Sequence, residues 1–285
     1  LFPYTTLFRS DTDGKPIQAH GGMILQHECT YYWYGENKDT ATVNRHVDFI
    51  GISCYSSKDL ENWKNEGIVL SPFVNDPAHM LYTKNICERP RVLYNKSTGQ
   101  FVMYTHADTA DYYYAGVNVA VASSPTGPFV WLKSFQPNRQ DSRDMTLLQE
   151  QDGSAWLIHS ANYNKTMNIA RLSDDYLDVT GSYVSIFQDQ EREAPAVMYS
   201  HNRYYMITSG CSGWEPNPSL YGICDHLIGP WKLIDNPCTG PSYRTTFDGQ
   251  GTCIFHVQEQ PYILLDHWHP DDLQYIRSEE HTSEL

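Results

Sequence analysis

Short runs in which apolar and aromatic residues alternate with polar ones recur along the whole chain, and they come in pairs. One set lies at 31–34, 101–104, 155–158, 204–207 and 261–264. Ahead of each member sits a turn signal, such as Thr98-Gly99, Asp152-Gly153 or His201-Asn202, and ahead of the turn another run: 22–25, 90–94, 145–148, 196–199 and 252–255. A period of two bounded by turn residues is the signature of a β-hairpin, so the pattern predicts the same hairpin five times. A third strand is predicted after four of them, at 52–57, 119–124, 169–173 and 222–224. Each of these leads into a closing motif: Trp63, Gly127-Pro128-Phe129, Gly181-Ser182-Tyr183 or Gly229-Pro230-Trp231. No fifth copy of the third strand precedes Ile276.

A repeat of about 50–70 residues with three or four strands matches one blade of a propeller, and no amphipathic helix of useful length interrupts it. The expected fold is therefore all-β: a five-bladed β-propeller whose last blade is cut short. An irregular β-sandwich is the competing architecture. Blades are arranged radially, so the residue just before each first strand should open onto the central axis. Those positions hold Gln18 or His20, then Glu88, Asp144, Glu193 and Gln250. Carboxylates crowded at one opening cannot all ionise freely, so at least one should keep its proton. A protonated carboxyl beside an ionised one is what protonation of a glycosidic oxygen requires.

Composition narrows the partners. A formal charge of −14 over 285 residues repels phosphate backbones and acidic polymers, which excludes nucleic acid and leaves a neutral polysaccharide as a fitting ligand. The 21 tyrosines and 7 tryptophans suit both stacked sheets and sugar-binding surfaces. No apolar run is long enough to span a membrane. The 7 cysteines show no CxxC spacing, and no set of oxygen ligands is readable, so neither metal nor cofactor is expected. Buried thiols, or one or two disulfides with leftovers, would account for them. Two sequons, at Asn95 and Asn164, permit glycosylation.

The two ends differ from the rest. Residues 1–10 and 277–285 read as translated sequencing adapters and are set aside, which gives a single catalytic domain over 11–276. The natural chain is then expected to extend beyond both ends, with a signal peptide upstream, and to act as a secreted monomer.

Several motifs in order, Gln18-Ala19-His20-Gly21-Gly22, Tyr34-Gly35-Glu36, Glu88-Arg89-Pro90, Arg143-Asp144-Met145, Arg192-Glu193-Ala194-Pro195, a Thr208 to Trp214 segment and Phe247-Asp248-Gly249-Gln250, resemble glycoside hydrolase family 43. Within it the chain is most similar to the exo-β-1,3-galactanase (galactan 1,3-β-galactosidase) branch. The resemblance implies a five-bladed propeller, inversion at the anomeric carbon and release of galactose from β-1,3-galactan or arabinogalactan. Carried over by motif, Glu193 is the general acid, Asp144 orients it and sets its pKa, and Glu88 is a third axial carboxylate that tunes or holds. Most of the wider family has an Asp on the first blade as base, whereas this stretch has none. Gln250 is then implied to position the attacking water, with His20 as the competing base. Glu36 resembles a hydroxyl-binding residue, while Trp214 is placed as a stacking platform. Gln18, Tyr114, Asn162, Tyr163 and Thr208 complete the expected sugar contacts. Other family specificities (arabinofuranosidase, galactofuranosidase, xylosidase) and a non-catalytic carbohydrate-binding propeller are the alternatives.

Overall fold

The computed structural model describes residues 10–267, 269, 271–273 and 277–281. The alternating runs form strands as the pattern predicts. The first blade holds β1 (His20–His27), β2 (Thr30–Glu36), β3 (Ile52–Ser57) and β4 (Lys64–Leu70). Next come β5 (Ile86–Asn95), β6 (Gln100–Asp108), β7 (Gly116–Ala122) and β8 (Val130–Phe135). The third blade is β9 (Met145–Gln149), β10 (Ala155–Ala161), β11 (Thr166–Leu172) and β12 (Val179–Ile186). A fourth holds β13 (Arg192–Ser200), β14 (Arg203–Gly210), β15 (Leu220–Cys224) and β16 (Lys232–Leu233). Each is an antiparallel meander in chain order. A last sheet of three strands comprises β17 (Gln250–Val257), β18 (Gln260–His267) and β19 (Arg277–His281).

The architecture is an all-β propeller with four complete four-stranded blades and this three-stranded sheet. β19 falls in the stretch that the sequence pattern set aside. An unpaired strand edge accepts any extended segment through backbone hydrogen bonds alone, whatever its side chains. Residues 1–9 and 282–285 of the two set-aside ends lie outside the described residues.

Hairpin turns supply positive φ: Gly99 (φ 69°) and Gly153 (φ 85°) in longer connections, and the pair His201 and Asn202 (φ 49° and 60°) in a two-residue one. The apolar stripes pack between neighbouring sheets. One cluster joins Tyr34 and Ile52 to Val92 and Phe101, a second Val102 and Val117 to Met145 and Leu157, and a third Ile158 and Ile169 to Val197 and Met206. Ile207 packs on Ile263 and Leu265, and the circuit closes where Trp33 and Trp63 meet Phe255 and Leu264. The inner strands follow suit: β1 touches β5, β5 touches β9, β9 touches β13, and β17 lies against both β13 and β1.

All 7 cysteines are free thiols, so no disulfide staples the wheel. Neither sequon offers a free amide. Asn95 is buried and donates Nδ2 to the Asp174 carbonyl (2.8 Å), and Asn164 turns inward as described below. Among the described residues no helix is long and apolar enough to cross a membrane.

Candidate active site

Each inner strand delivers one side chain to the axis, and each of those has a polar neighbour across the hairpin. His20 pairs in register with Glu36, Glu88 with His106, Glu193 with Ser209 and Gln250 with Asp266. Asp144 precedes β9, where its carbonyl accepts from the Ser160 amide (2.9 Å). A bulge interrupts the ladder just after His20, Glu88 and Glu193, and the bulged residues Gly21, Arg89 and Ala194 take φ of 58°, 52° and 51°. An extra residue in the left-handed region bends the strand and re-aims the preceding side chain. The same kink, repeated by blade, turns Glu88 and Glu193 into one cavity of about 480 Å³, whose wall also includes Glu36, Asp144, Gln250 and Trp214.

Glu193 has contacts from three elements of the cavity wall. Its Oε1 accepts from Gln250 Nε2 and its Oε2 from Asn164 Nδ2, both at 3.2 Å. Burial, and then the negative charge of Asp144, push its carboxyl up to about 8, against the pull of Arg89. Both oxygens already receive N–H donors, so the carboxyl proton is free to point into the cavity. Asp144 is held on two sides. Its Oδ1 accepts from Arg89 Nε (2.7 Å) and its Oδ2 from the Ala194 amide (3.1 Å), one residue from the acid. Arg89 also donates Nη2 to Gln250 Oε1. Guanidinium is a donor only, so this contact fixes which end of the Gln250 amide is carbonyl. The Gln250 NH₂ is shared between Glu193 and Ser209 Oγ (2.9 Å).

Opposite lies a second charge group. Glu88 accepts from the Tyr112 hydroxyl (2.9 Å) and meets His106 Nδ1 (3.2 Å), whose Nε2 faces Asp108 (3.3 Å). Burial opposes both charges, but the hydrogen bonds to Asp108 and Glu88 win, and His106 rises to about 9. For Glu88 the penalty of burial is likewise outweighed by the bond to His106 and its charge, and the carboxyl falls to about 2. Glu36 is buried against Lys38 (2.6 Å), and burial raises it to about 7 despite that cation. The wall thus sets Glu88, drawn down by His106, against two carboxyls, Glu36 and Glu193, that burial pushes up.

Not every expected contact comes to this cavity. His20 is covered at 1% exposure, with Nε2 bonded to Gln18 Oε1 (2.8 Å), and both lie beneath the wall. Burial, helped by Lys38, lowers His20 to about 3, so it is a weak base as well as a covered one. Thr208 is buried, accepting from Arg192 Nε (3.0 Å), while Ser209, its neighbour on the opposite face of β14, meets Gln250. Tyr114 packs over Gly116; the loop brings Tyr112 inward in its place. Asn162 and Tyr163 are exposed beside the cavity, and it is Asn164 that reaches the acid. Sequence reasoning missed Arg89, Lys38, His106, Asp108 and Asn164. Two of them carried a signal, since Arg89 and His106 are basic side chains within strands. Among the described residues no group of three His, Cys, Asp or Glu side chains is placed to hold a metal ion.

Residues 17–263 match the family profile of glycosyl hydrolases family 43. The chain belongs to that family. As a family 43 member it is a glycosidase. A comparison with curated protein sequences returns no match. Among solved structures it is similar to a GH43 β-1,3-galactosidase with galactodeoxynojirimycin (36% identity, TM-score 0.91, covering 97% of this chain and 93% of that one). It is also similar to the exo-β-1,3-galactanase of Phanerochaete chrysosporium with β-1,3-galactotriose (32%, TM-score 0.88, 98% and 63%) and to that of Clostridium thermocellum (34%, TM-score 0.85, 97% and 61%). The family 43 chain therefore spans less than two thirds of the length of the latter two.

Proposed function

We propose that this family 43 glycosidase is an exo-acting β-1,3-galactanase that releases galactose from β-1,3-galactan or arabinogalactan with inversion. The observation that carries the reading is Glu193, a cavity-wall carboxyl pushed up to about 8 beside the Arg89-paired Asp144. Glu193 gives its proton to the glycosidic oxygen of the leaving chain, and Asp144 keeps that proton in place until the bond breaks. Gln250 orients the attacking water through the second lone pair of Oε1. Arg89 donation makes that carbonyl a poorer base still, so orientation rather than proton removal is its part; the proton the water loses on attack passes to solvent, from which Glu193 is reprotonated for the next cycle. Glu88 and Glu36 bind sugar hydroxyls, and Trp214 offers a ring to the sugar face. The structural likeness to proteins described with galactose-shaped ligands supports the specificity.

In the same reading the sheet β17–β19 is the fifth blade, since β17 contributes Gln250 as the fifth axial side chain. The protein is secreted, because its polymer substrate lies outside the cell, and acts as a monomer. Galactose release from β-1,3-galactan, assayed beside other plant polysaccharides, tests the proposal. Glu193→Gln should lower the rate about 10²–10⁴-fold, the usual worth of a positioned acid. Undiminished release by that variant would overturn the assignment.

A further inference from the structure

The turn between β10 and β11 is built in a costly conformation. Asn162, Tyr163 and Asn164 carry φ of 51°, 56° and 63°, three left-handed residues in succession and none of them glycine. Such a run persists only where surrounding groups over-determine it. Here the determinant is one carboxylate. Asp141 Oδ1 accepts from the Asn162 amide (2.5 Å) and Oδ2 from the Tyr163 amide (2.8 Å), the concave nest that successive left-handed residues offer an anion. Arg143 Nη1 pairs with Asp141 Oδ2 (2.5 Å), and its guanidinium lies 5.2 Å from the Tyr163 ring centroid, bracing the turn from beneath. The third residue of the turn is Asn164, whose Nδ2 is then delivered to Glu193 Oε2 at 3.2 Å.

The segment that carries Asp141 also carries Asp144, and the backbone pins it in place. Arg143 N donates to Ser160 O (3.0 Å) and Ser160 N to Asp144 O (2.9 Å). Four consecutive residues therefore grip the acid from two sides: Asp144 through Ala194, and Asp141 through the turn. We infer that Asp141 is a positioning residue of the reaction, which locks the 162–164 turn so that Asn164 holds the general acid Glu193 in its donating orientation. This rests on the reading of Glu193 as the acid.

The charged and titratable groups around Glu193 are Asp144, Arg89, Arg192 and Cys211; those around Asp141 are Arg143 and His159. None of them duplicates the Asn164 contact. An N–H donor stabilises the carboxylate form, so its loss lets the acid keep its proton to higher pH. Activity that needs protonated Glu193 should then persist further into alkali while its maximum falls.

The test is the pH profile of kcat/KM for wild type, Asp141→Ala, Asn164→Ala, the double variant and Glu193→Gln on β-1,3-galactan. Both single variants should move the alkaline limb upward by about half a pH unit and lower the plateau about tenfold. The double variant should match the singles, because both act through one contact. An unmoved limb in Asp141→Ala, or shifts that add in the double variant, would overturn the inference. If Asp141→Ala does not fold, the decision passes to Asn164→Ala, and a limb identical to wild type there overturns it too. Wild-type rates in Glu193→Gln would instead sink the underlying acid assignment, which separates the two failures.

Discussion

At the scale of single residues, the site works by separating the fates of chemically equal carboxyls. Glu88 and Glu193 occupy equivalent places in the hairpins of the second and fourth blades, yet burial and Asp144 push Glu193 up to about 8, whereas the bond to His106 brings Glu88 down to about 2. The difference lies in what stands across the strand: His106 opposite Glu88, Ser209 opposite Glu193. That has a consequence for stability. A carboxyl whose folded pKa is raised from 4.5 to about 8 retains a proton that the unfolded chain has released. Its cost to folding begins near pH 4.5, grows with pH, and levels off above about 8. Glu193→Gln should therefore raise the melting temperature by a few degrees at pH 8, with the gain shrinking toward zero near pH 4. Differential scanning fluorimetry across that range checks it; a gain independent of pH would mean that the proton is not the cause.

Elements explain how such residues are aimed. The five hairpins were legible from alternation alone, because strand period and turn chemistry are local properties. The axial carboxylates were legible too, since a repeat fixes which position of each blade faces the centre. What alternation does not reveal is a bulge, which inserts one residue and changes the facing side chain. Nor does it say which of two nearby candidates faces the site: Ser209 rather than Thr208 meets Gln250, and Tyr112 rather than Tyr114 meets Glu88. The first blade adds a steric condition. A Cβ on Gly35 would lie 2.0 Å from the Ala19 carbonyl carbon, so the 17–19 segment crosses β2 only because that residue has no side chain. Gly35→Ala should displace this segment and its neighbour Glu36, destabilising by about 1–3 kcal/mol or more. Chemical denaturation should read that loss, accompanied by a fall in activity; a variant as stable as wild type would show that the segment shifts freely.

At the scale of the molecule, the axis is held together by two buried guanidinium groups. Arg91 Nη1 donates to the carbonyls of Gly21 (2.8 Å) and Pro90 (2.8 Å), and Nη2 to that of Thr252 (2.6 Å), tying three sheets at the hub. Arg89 links Asp144 to Gln250. Neither arginine's role could be assigned from the chain alone, because apart from the adjacent Pro90 carbonyl these partners lie some 55 to 162 positions away and only the closed wheel unites them. The raised carboxyl of Glu193 is likewise a property of the assembled ring, since burial in the closed wheel and the charge of Asp144 from the neighbouring blade make it. A direct titration of that carboxyl therefore tests the account most squarely, by ¹³C NMR of side-chain-labelled glutamate with Glu193→Gln used to assign the resonance. The account predicts a midpoint near pH 8, and a midpoint in the ordinary range near 4.5 would contradict it.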